Sequence, residues 1–102
     1  MVKMYRQGDI LLREIEVIPE GVKPSNNDVI LRGEATGHAH RIVNGTIFTL
    51  ETFRSEEMYI EAKPEAALIH EEHNTIQVEA GFYEVIRQRE YDPEARSRLV
   101  ED

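Results

Sequence analysis

Turn-forming residues recur so often along this chain that a long helix has no room to form. Glycine, proline, asparagine and serine interrupt the sequence at 19–28, at Asn44-Gly45, at Pro64 and at Gly81. The segments between these positions are short, rich in Ile, Val, Leu and Thr, and often alternate apolar with polar residues, a pattern typical of half-buried strands. Turn signals about every eight to twelve residues predict a mostly β fold, a small antiparallel β-barrel or sandwich that could be jelly-roll-like.

The interruptions also predict where the strands lie. Asn44-Gly45 is the strongest two-residue hairpin signal in the chain, so 36–43 and 46–52 are predicted to be the two strands of a hairpin. Asp92-Pro93 combines an N-cap residue with proline at the first helical position, which predicts at most a short C-terminal helix. Further strands are predicted at 10–18, 29–31, 57–62, 75–80 and 82–90.

The length of 102 residues is that of one domain. Hydrophobic residues make up 40% of the chain and charged residues 31%, which is enough apolar surface for a modest core and too much for a disordered segment. We therefore expect a single β domain over 1–102, with the barrel core in 1–91 and a short helix or tail in 92–102.

The charge balance limits the partners. Twenty acidic and twelve basic residues give a net charge of −8, which opposes general binding to nucleic acid or to an anionic membrane. The chain has no cysteine, so disulfides, thiolate zinc sites and cysteine nucleophiles are excluded. The apolar runs are too short to cross a bilayer, and Met1–Arg6 lacks the apolar stretch of a secretory signal. We expect a cytoplasmic protein that acts on a small-molecule substrate, with a homo-oligomer left open.

All four histidines fall in two close pairs, His38 with His40 and His70 with His73. Four scattered histidines would pair in this way in about one sequence in a hundred, whereas metal sites use such spacings. Imidazole and carboxylate ligands suit several divalent metals. The sequence predicts a divalent metal ion held by residues of both pairs, with its identity open among Zn, Fe, Mn and Ni.

The first pair lies in a segment with strand character. On a strand, His38 and His40 point to the same face about 7 Å apart, and so can approach one ion from adjacent directions. Arg41 then points to the opposite face.

The second pair has a different spacing. His70 and His73 are three residues apart, which suits one helical turn or an irregular turn between strands, whereas a regular strand would turn only one of them to the site. Glu71 and Glu72 lie between them, as candidates for a carboxylate ligand or a general base. The zinc-protease helix is excluded because its histidines are four residues apart.

The segment 33–45 resembles the first sequence motif of the cupin superfamily, in which a glycine precedes His-x-His on a strand. Gly33 stands five positions before His38, near the family spacing, and His38 and His40 match the two histidines. The glutamate expected next is absent, since Arg41–Asn44 fill its place, and no Pro-x-Gly turn precedes the second histidine pair. The resemblance implies a jelly-roll barrel that binds a divalent metal through three histidines and one carboxylate.

Two arginines, Arg87 and Arg89, share a face at the end of the last predicted strand. Such a pair can hold a carboxylate or a phosphate through bidentate hydrogen bonds. Surface ion pairing is the commoner use of arginine in an acidic chain.

Three functions fit these observations. The first is a metal-dependent enzyme, a hydrolase, isomerase or oxygenase, in which the first histidine pair gives two ligands and the second pair a third. One of the two intervening glutamates then acts as the fourth ligand or the general base. The second is a metal-free acid–base catalyst on a phosphoester, with Arg41 or Arg89 neutralising charge. The third is a non-catalytic β-barrel interaction module that binds a partner protein through an edge strand.

Overall fold

The computed structural model describes residues 2–33 and 37–87. These residues form eight β-strands and contain no helix, which confirms the mostly-β fold class. The described residues therefore include no helix long and apolar enough to cross a membrane. The helix predicted from Asp92-Pro93 and the rest of the 92–102 tail lie outside the described residues. The strands are β1 (Met4–Gln7), β2 (Ile10–Ile15), β3 (Lys23–Pro24), β4 (Val29–Arg32), β5 (Ala39–Glu51), β6 (Glu56–Ile69), β7 (Ile76–Val78) and β8 (Gly81–Arg87).

The strands form one antiparallel sheet in the order β1-β2-β8-β6-β5-β3. β5 and β6 form the longest ladder, and β4 pairs with β5 beside its first residues. β8 pairs with Tyr59–Ala62 of β6 and β7 with Ala66–Leu68, so both lie along the edge of β6 that faces away from β5. The end of β6 is therefore enclosed on both sides, and the residues that follow it are held close to the start of β5.

The sheet is curled so that β1 lies against β7 and the end of β6. Tyr5 on β1 accepts the backbone N–H of Glu79 at 3.3 Å, and the Lys3 ammonium lies 2.9 Å from the Glu79 carboxylate. Gln7 on β1 donates to the carbonyl of Leu68 at 3.0 Å. Strands β1 and β3 remain the two ends of the hydrogen-bonded sheet, which is curled around its core without being closed.

The core lies on the concave face of the curled sheet. Alternation along each strand turns every second residue inward, as with Ile10 and Leu12 on β2. Each fully buried aliphatic side chain stabilises the fold by about 1.5–3 kcal/mol. The largest fully buried side chains are Tyr83, Ile10, Leu12, Ile42, Ile47, Ile60 and Leu68.

The hairpin predicted at Asn44-Gly45 is wrong. Strand β5 runs through both residues, and its pairing with β6 shifts register between Val43 and Gly45. Asn44 has a φ of 58°, and its side-chain amide donates to the carbonyl of Glu65 at 3.1 Å. The left-handed conformation that favours asparagine in a turn here forms a β-bulge, because β6 supplies pairing partners on both sides of the break. The chain reverses later, at 52–55.

A two-residue hairpin does occur at Gly8-Asp9, between β1 and β2. Gln7 pairs with Ile10 across the turn. Gly8 has a φ of 62° at the first turn position, where a type II′ turn requires glycine. The turn carries Asp9 to the end of the sheet where β5 begins and β6 ends.

Candidate metal centre

Three histidines converge at this end of the β5–β6 ladder. His40 lies in β5 and His70 directly follows β6, and the pairing of Arg41 with Ile69 holds the two side by side. The turn after His70 brings His73 back to the same place, and one nitrogen from each of the three rings lies within 4.8 Å of the other two. Ligands at about 2.1 Å around a tetrahedral ion are about 3.4 Å apart, so the three nitrogens would have to move closer together to hold one.

The orientation of His40 is fixed by a buried glutamine. The amide nitrogen of Gln7 donates to the carbonyls of Leu68 at 3.0 Å and Asn74 at 2.9 Å. The amide oxygen is therefore the atom that faces His40 Nδ1, 2.8 Å away, and Nδ1 must carry the proton. The lone pair of the neutral ring is then on Nε2, which faces the Gly8-Asp9 turn, as does Nε2 of His73. Metal-binding histidines are commonly held by such a hydrogen bond on the far nitrogen.

The surroundings also favour the uncharged form of His40. Burial lowers its pKa, and the nearby rings of His70 and His73 act in the same direction, while Asp9 opposes them. A neutral imidazole with a free lone pair is the form that binds a metal or accepts a proton.

His70 is held as the other tautomer, with its two ring nitrogens in the reverse roles to those of His40. Its Nδ1 accepts the backbone N–H of Glu72 at 3.0 Å, so in the neutral ring the proton is on Nε2. The ring packs between its neighbours, with its centroid 4.3 Å from that of His40 and 4.6 Å from that of His73. To act as a metal ligand, His70 would have to release this hydrogen bond or turn its ring over.

The two glutamates of the turn have different positions. The Glu71 carboxylate accepts the backbone N–H of Ala39 at 2.9 Å, and this hydrogen bond lowers the pKa of Glu71. Glu71 thereby ties the start of β5 to the turn after β6. The Glu72 carboxylate lies 3.5 Å from Nδ1 of His38, at the rim of the site.

His38 lies outside the inner set of three. His38 precedes β5, which begins at Ala39, and its side chain lines the same cleft as that of His40. The ring stands edge-on to that of His70 with 5.8 Å between centroids, and the side chain is 30% exposed. Of the four predicted metal ligands, three come within mutual reach in the described part of the chain.

Asp9 and Gly8 belong to the site and were missed at the level of sequence. One carboxylate oxygen of Asp9 lies 3.6 Å from Nε2 of His40. A Cβ on Gly8 would lie 2.9 Å from Nε2 of His73 and 3.2 Å from Cε1 of His40, so a larger residue in the turn would have to displace the two rings. The available signal was a glycine-first dipeptide between two strands.

A cleft of about 370 Å³ opens over the cluster, lined by all four histidines together with Asp9 and Glu72. Arg41, a candidate from the sequence, does not line it. The alternation that buries His40 turns Arg41 to the opposite face of β5, where its guanidinium lies 3.2 Å from Asp28.

Comparison with known proteins gives a family and no function. Residues 6–88 match the model of a family described as a domain of unknown function (DUF8820), and the chain belongs to that family. The match spans Gln7, Asp9 and both histidine pairs. No curated protein and no solved structure matches the chain.

Proposed function

We propose that this member of the DUF8820 family binds a divalent metal ion through His40, His70 and His73 and uses it on a small-molecule substrate. The observation that carries the proposal is the buried pair of Gln7 and His40. Burying two polar side chains costs free energy even when they are hydrogen-bonded to each other. Here that cost orients one neutral imidazole lone pair beside two further imidazoles, as the outer partners of metal ligands do.

The donor set favours an open, chemically active site. Catalytic zinc sites have three protein ligands and one exchangeable position, whereas structural sites have four protein ligands. A tetrahedral zinc on the three histidines would keep one open position, and a six-coordinate Fe, Mn or Ni would keep two even with the Asp9 carboxylate, 3.6 Å from Nε2 of His40, as a fourth ligand. Three histidines and one carboxylate are also the set that the resemblance to cupins implies, and membership of that superfamily stays a prediction. The set suits Zn, Fe, Mn or Ni.

The remaining side chains would handle protons and position the site. A bound metal lowers the pKa of a coordinated water or polarises a substrate oxygen. The carboxylate of Glu72 is 67% exposed beside His38, so this rim pair can take a proton from a group in the cleft. Glu71 is engaged with Ala39 and holds the two segments together instead.

The test is metal content on untagged protein. We expect about one equivalent of metal in the wild type and none in the double variant His40→Ala/His73→Ala. The matched control is His38→Ala, which removes a rim histidine and should retain the metal. A wild-type protein that stays empty after incubation with Zn, Mn, Fe and Ni would rule out the proposal.

A second candidate function has its own observation, the Glu72 N–H on His70 Nδ1. Without a metal, His40 presents an accepting nitrogen and His70 a donating one, which is an acid–base pair suited to a phosphoester. Nitrogen NMR of the two rings distinguishes the candidates. Added zinc should shift the ring nitrogens of both residues in a metal site, whereas unchanged tautomers and activity that survives a chelator would favour the acid–base pair.

A further inference from the structure

The cleft over the histidines is also lined by two arginines that the metal site does not use. Arg32 is the last residue of β4 and Arg87 the last residue of β8, so they reach the cleft from different strands. Arg32 pairs with Ala39 and Arg87 with Ile10. Ala39 precedes His40 and Ile10 follows Asp9, so each arginine lies across a strand pairing from a neighbour of a polar residue of the site.

These two arginines differ from others on the surface. Arg13 and Arg41 form ion pairs with Glu84 and Asp28. Arg32 and Arg87 form no ion pair or side-chain hydrogen bond with any residue of 2–33 and 37–87. In a chain with a net charge of −8, two exposed guanidinium groups in one cleft that pair with no carboxylate of 2–33 or 37–87 have donors left for a ligand.

The charges of the cleft indicate what that ligand is. Without a metal, the two guanidinium groups are balanced by the carboxylates of Asp9 and Glu72. A divalent ion on the histidines leaves the cleft with about two excess positive charges, and a bound ion often dominates the local field. Guanidinium groups bind carboxylate and phosphate oxygens through paired hydrogen bonds.

We infer that the substrate is a small oxyanion, bearing a carboxylate or a phosphate, which Arg32 and Arg87 hold while the metal contacts it. The inference rests on the proposed metal site and adds the substrate class. The sequence pattern pairs Arg87 with Arg89, which lies outside the described residues; in the structure Arg32 is the second arginine that lines the cleft with Arg87. The two arginines bind the anion, and the histidines bind the metal, so the two functions can be removed separately.

The test is isothermal titration calorimetry on protein loaded with one equivalent of zinc. Inorganic phosphate is titrated in one arm and succinate in the other, which distinguishes the two anion types. We expect the double variant Arg32→Gln/Arg87→Gln to bind the preferred anion at least ten-fold more weakly and to keep the zinc Kd of the wild type. The matched control is Arg13→Gln/Arg54→Gln, which loses the same charge away from the cleft and should bind the anion normally.

Each outcome decides the inference. Loss of anion binding in the cleft variant with normal zinc binding supports it, and so does tighter zinc binding in the presence of the anion, because such coupling is reciprocal. Equal anion affinity in the wild type and both variants overturns it, as does a zinc-loaded wild type that binds neither probe. A wild type that binds no zinc overturns the proposed function, and this inference with it.

Discussion

The two ends of the protein interior are built from different chemistry. Around Ile47, Ile60 and Tyr83 the interior is apolar, and these residues are at most 2% exposed. At the other end lie Gln7 and His40, 3% and 4% exposed, the two polar residues that 2–33 and 37–87 bury. The apolar end is stabilised by the area it removes from water, which has no preferred direction. The polar end depends on hydrogen bonds whose donors and acceptors must match.

This difference separates the part of the interior that stabilises the fold from the part that carries the proposed site. The bulge between Val43 and Gly45 divides the β5–β6 ladder into a long part that packs the apolar end and a short part, Arg41–Val43 with Ala67–Ile69, that leads to the histidines. We expect substitutions at the apolar end to change the free energy of unfolding and leave metal affinity alone. Substitutions at the polar end should mainly change metal affinity.

The largest effect should come from the apolar end. Ile60→Ala removes a fully buried side chain and leaves a cavity, which should lower the free energy of unfolding by about 2–5 kcal/mol. Urea denaturation of the metal-free protein measures this loss. Ile60→Val should cost only about 0.5–1.5 kcal/mol. If the zinc Kd of the folded Ile60→Ala variant changed by more than a few-fold, the two ends would not be independent.

The next effect concerns the polar end. Gln7→Met keeps the length of the side chain and removes its hydrogen bonds to His40, Leu68 and Asn74. Loss of an outer partner of a metal ligand typically weakens metal binding about 10–100-fold, and we expect that range for zinc by competition with a chelator. The unsatisfied carbonyls should also lower the free energy of unfolding by about 1–3 kcal/mol.

Gln77→Met is the matched control, because Gln77 is an exposed glutamine on the neighbouring strand β7. It should leave both the zinc Kd and the unfolding midpoint unchanged. An unchanged zinc Kd in Gln7→Met would mean that His40 keeps its orientation without the glutamine, and the argument for the metal site would lose its main support.

A smaller effect distinguishes crowding at the site from backbone strain. Gly8→Ala and Gly37→Ala both force alanine into the left-handed region, at φ of 62° and 78°, which costs about 1–2 kcal/mol in either case. A Cβ on Gly8 meets the rings of His73 and His40, whereas a Cβ on Gly37 has nothing within 4 Å among the described residues. Only Gly8→Ala should therefore weaken zinc binding, by several-fold. Equal zinc affinity in the two variants would show that the turn does not limit the site.

The same contrast explains how much could be predicted from the sequence. Alternating residues and frequent turns predict a mostly-β fold, because the alternation is local and the same residues form the apolar core. The grouping of all four histidines predicts the site, and three of them meet there. Asn44-Gly45 misleads because its left-handed preference suits a bulge as well as a turn, and pairing with β6 decides between them.

The parts of the site that could not be predicted from the sequence depend on contacts between residues far apart in the chain. Gln7 is a surface-like residue in the sequence, and its burial follows from carbonyls of Leu68 and Asn74, 61 and 67 residues away. Asp9 is placed by the curl of the sheet, which no local pattern encodes. The second arginine of the cleft, Arg32, has no sequence signal that sets it apart from the other arginines.

The smallest effect lies where the β1–β2 hairpin opens, away from its turn at the site. The Lys3 N–H donates to the Glu14 carboxylate at 3.1 Å, and this bond holds the pKa of Glu14 below its ordinary value of 4.5. A lowered folded-state pKa contributes stability that is present above pH 4.5 and is lost as the pH falls through the folded value. The free energy of unfolding of Glu14→Gln, measured in urea, should therefore vary less with pH below 4.5 than that of the wild type, and Glu16→Gln should follow the wild type.

Zinc binding at pH 7 should be the same in all three proteins, because the hydrogen bond at the open end of the hairpin does not involve the turn that carries Asp9. A change in zinc affinity in Glu14→Gln would show that the hairpin transmits strain along its length, and that the polar end is less separate from the rest of the sheet than its hydrogen bonds indicate.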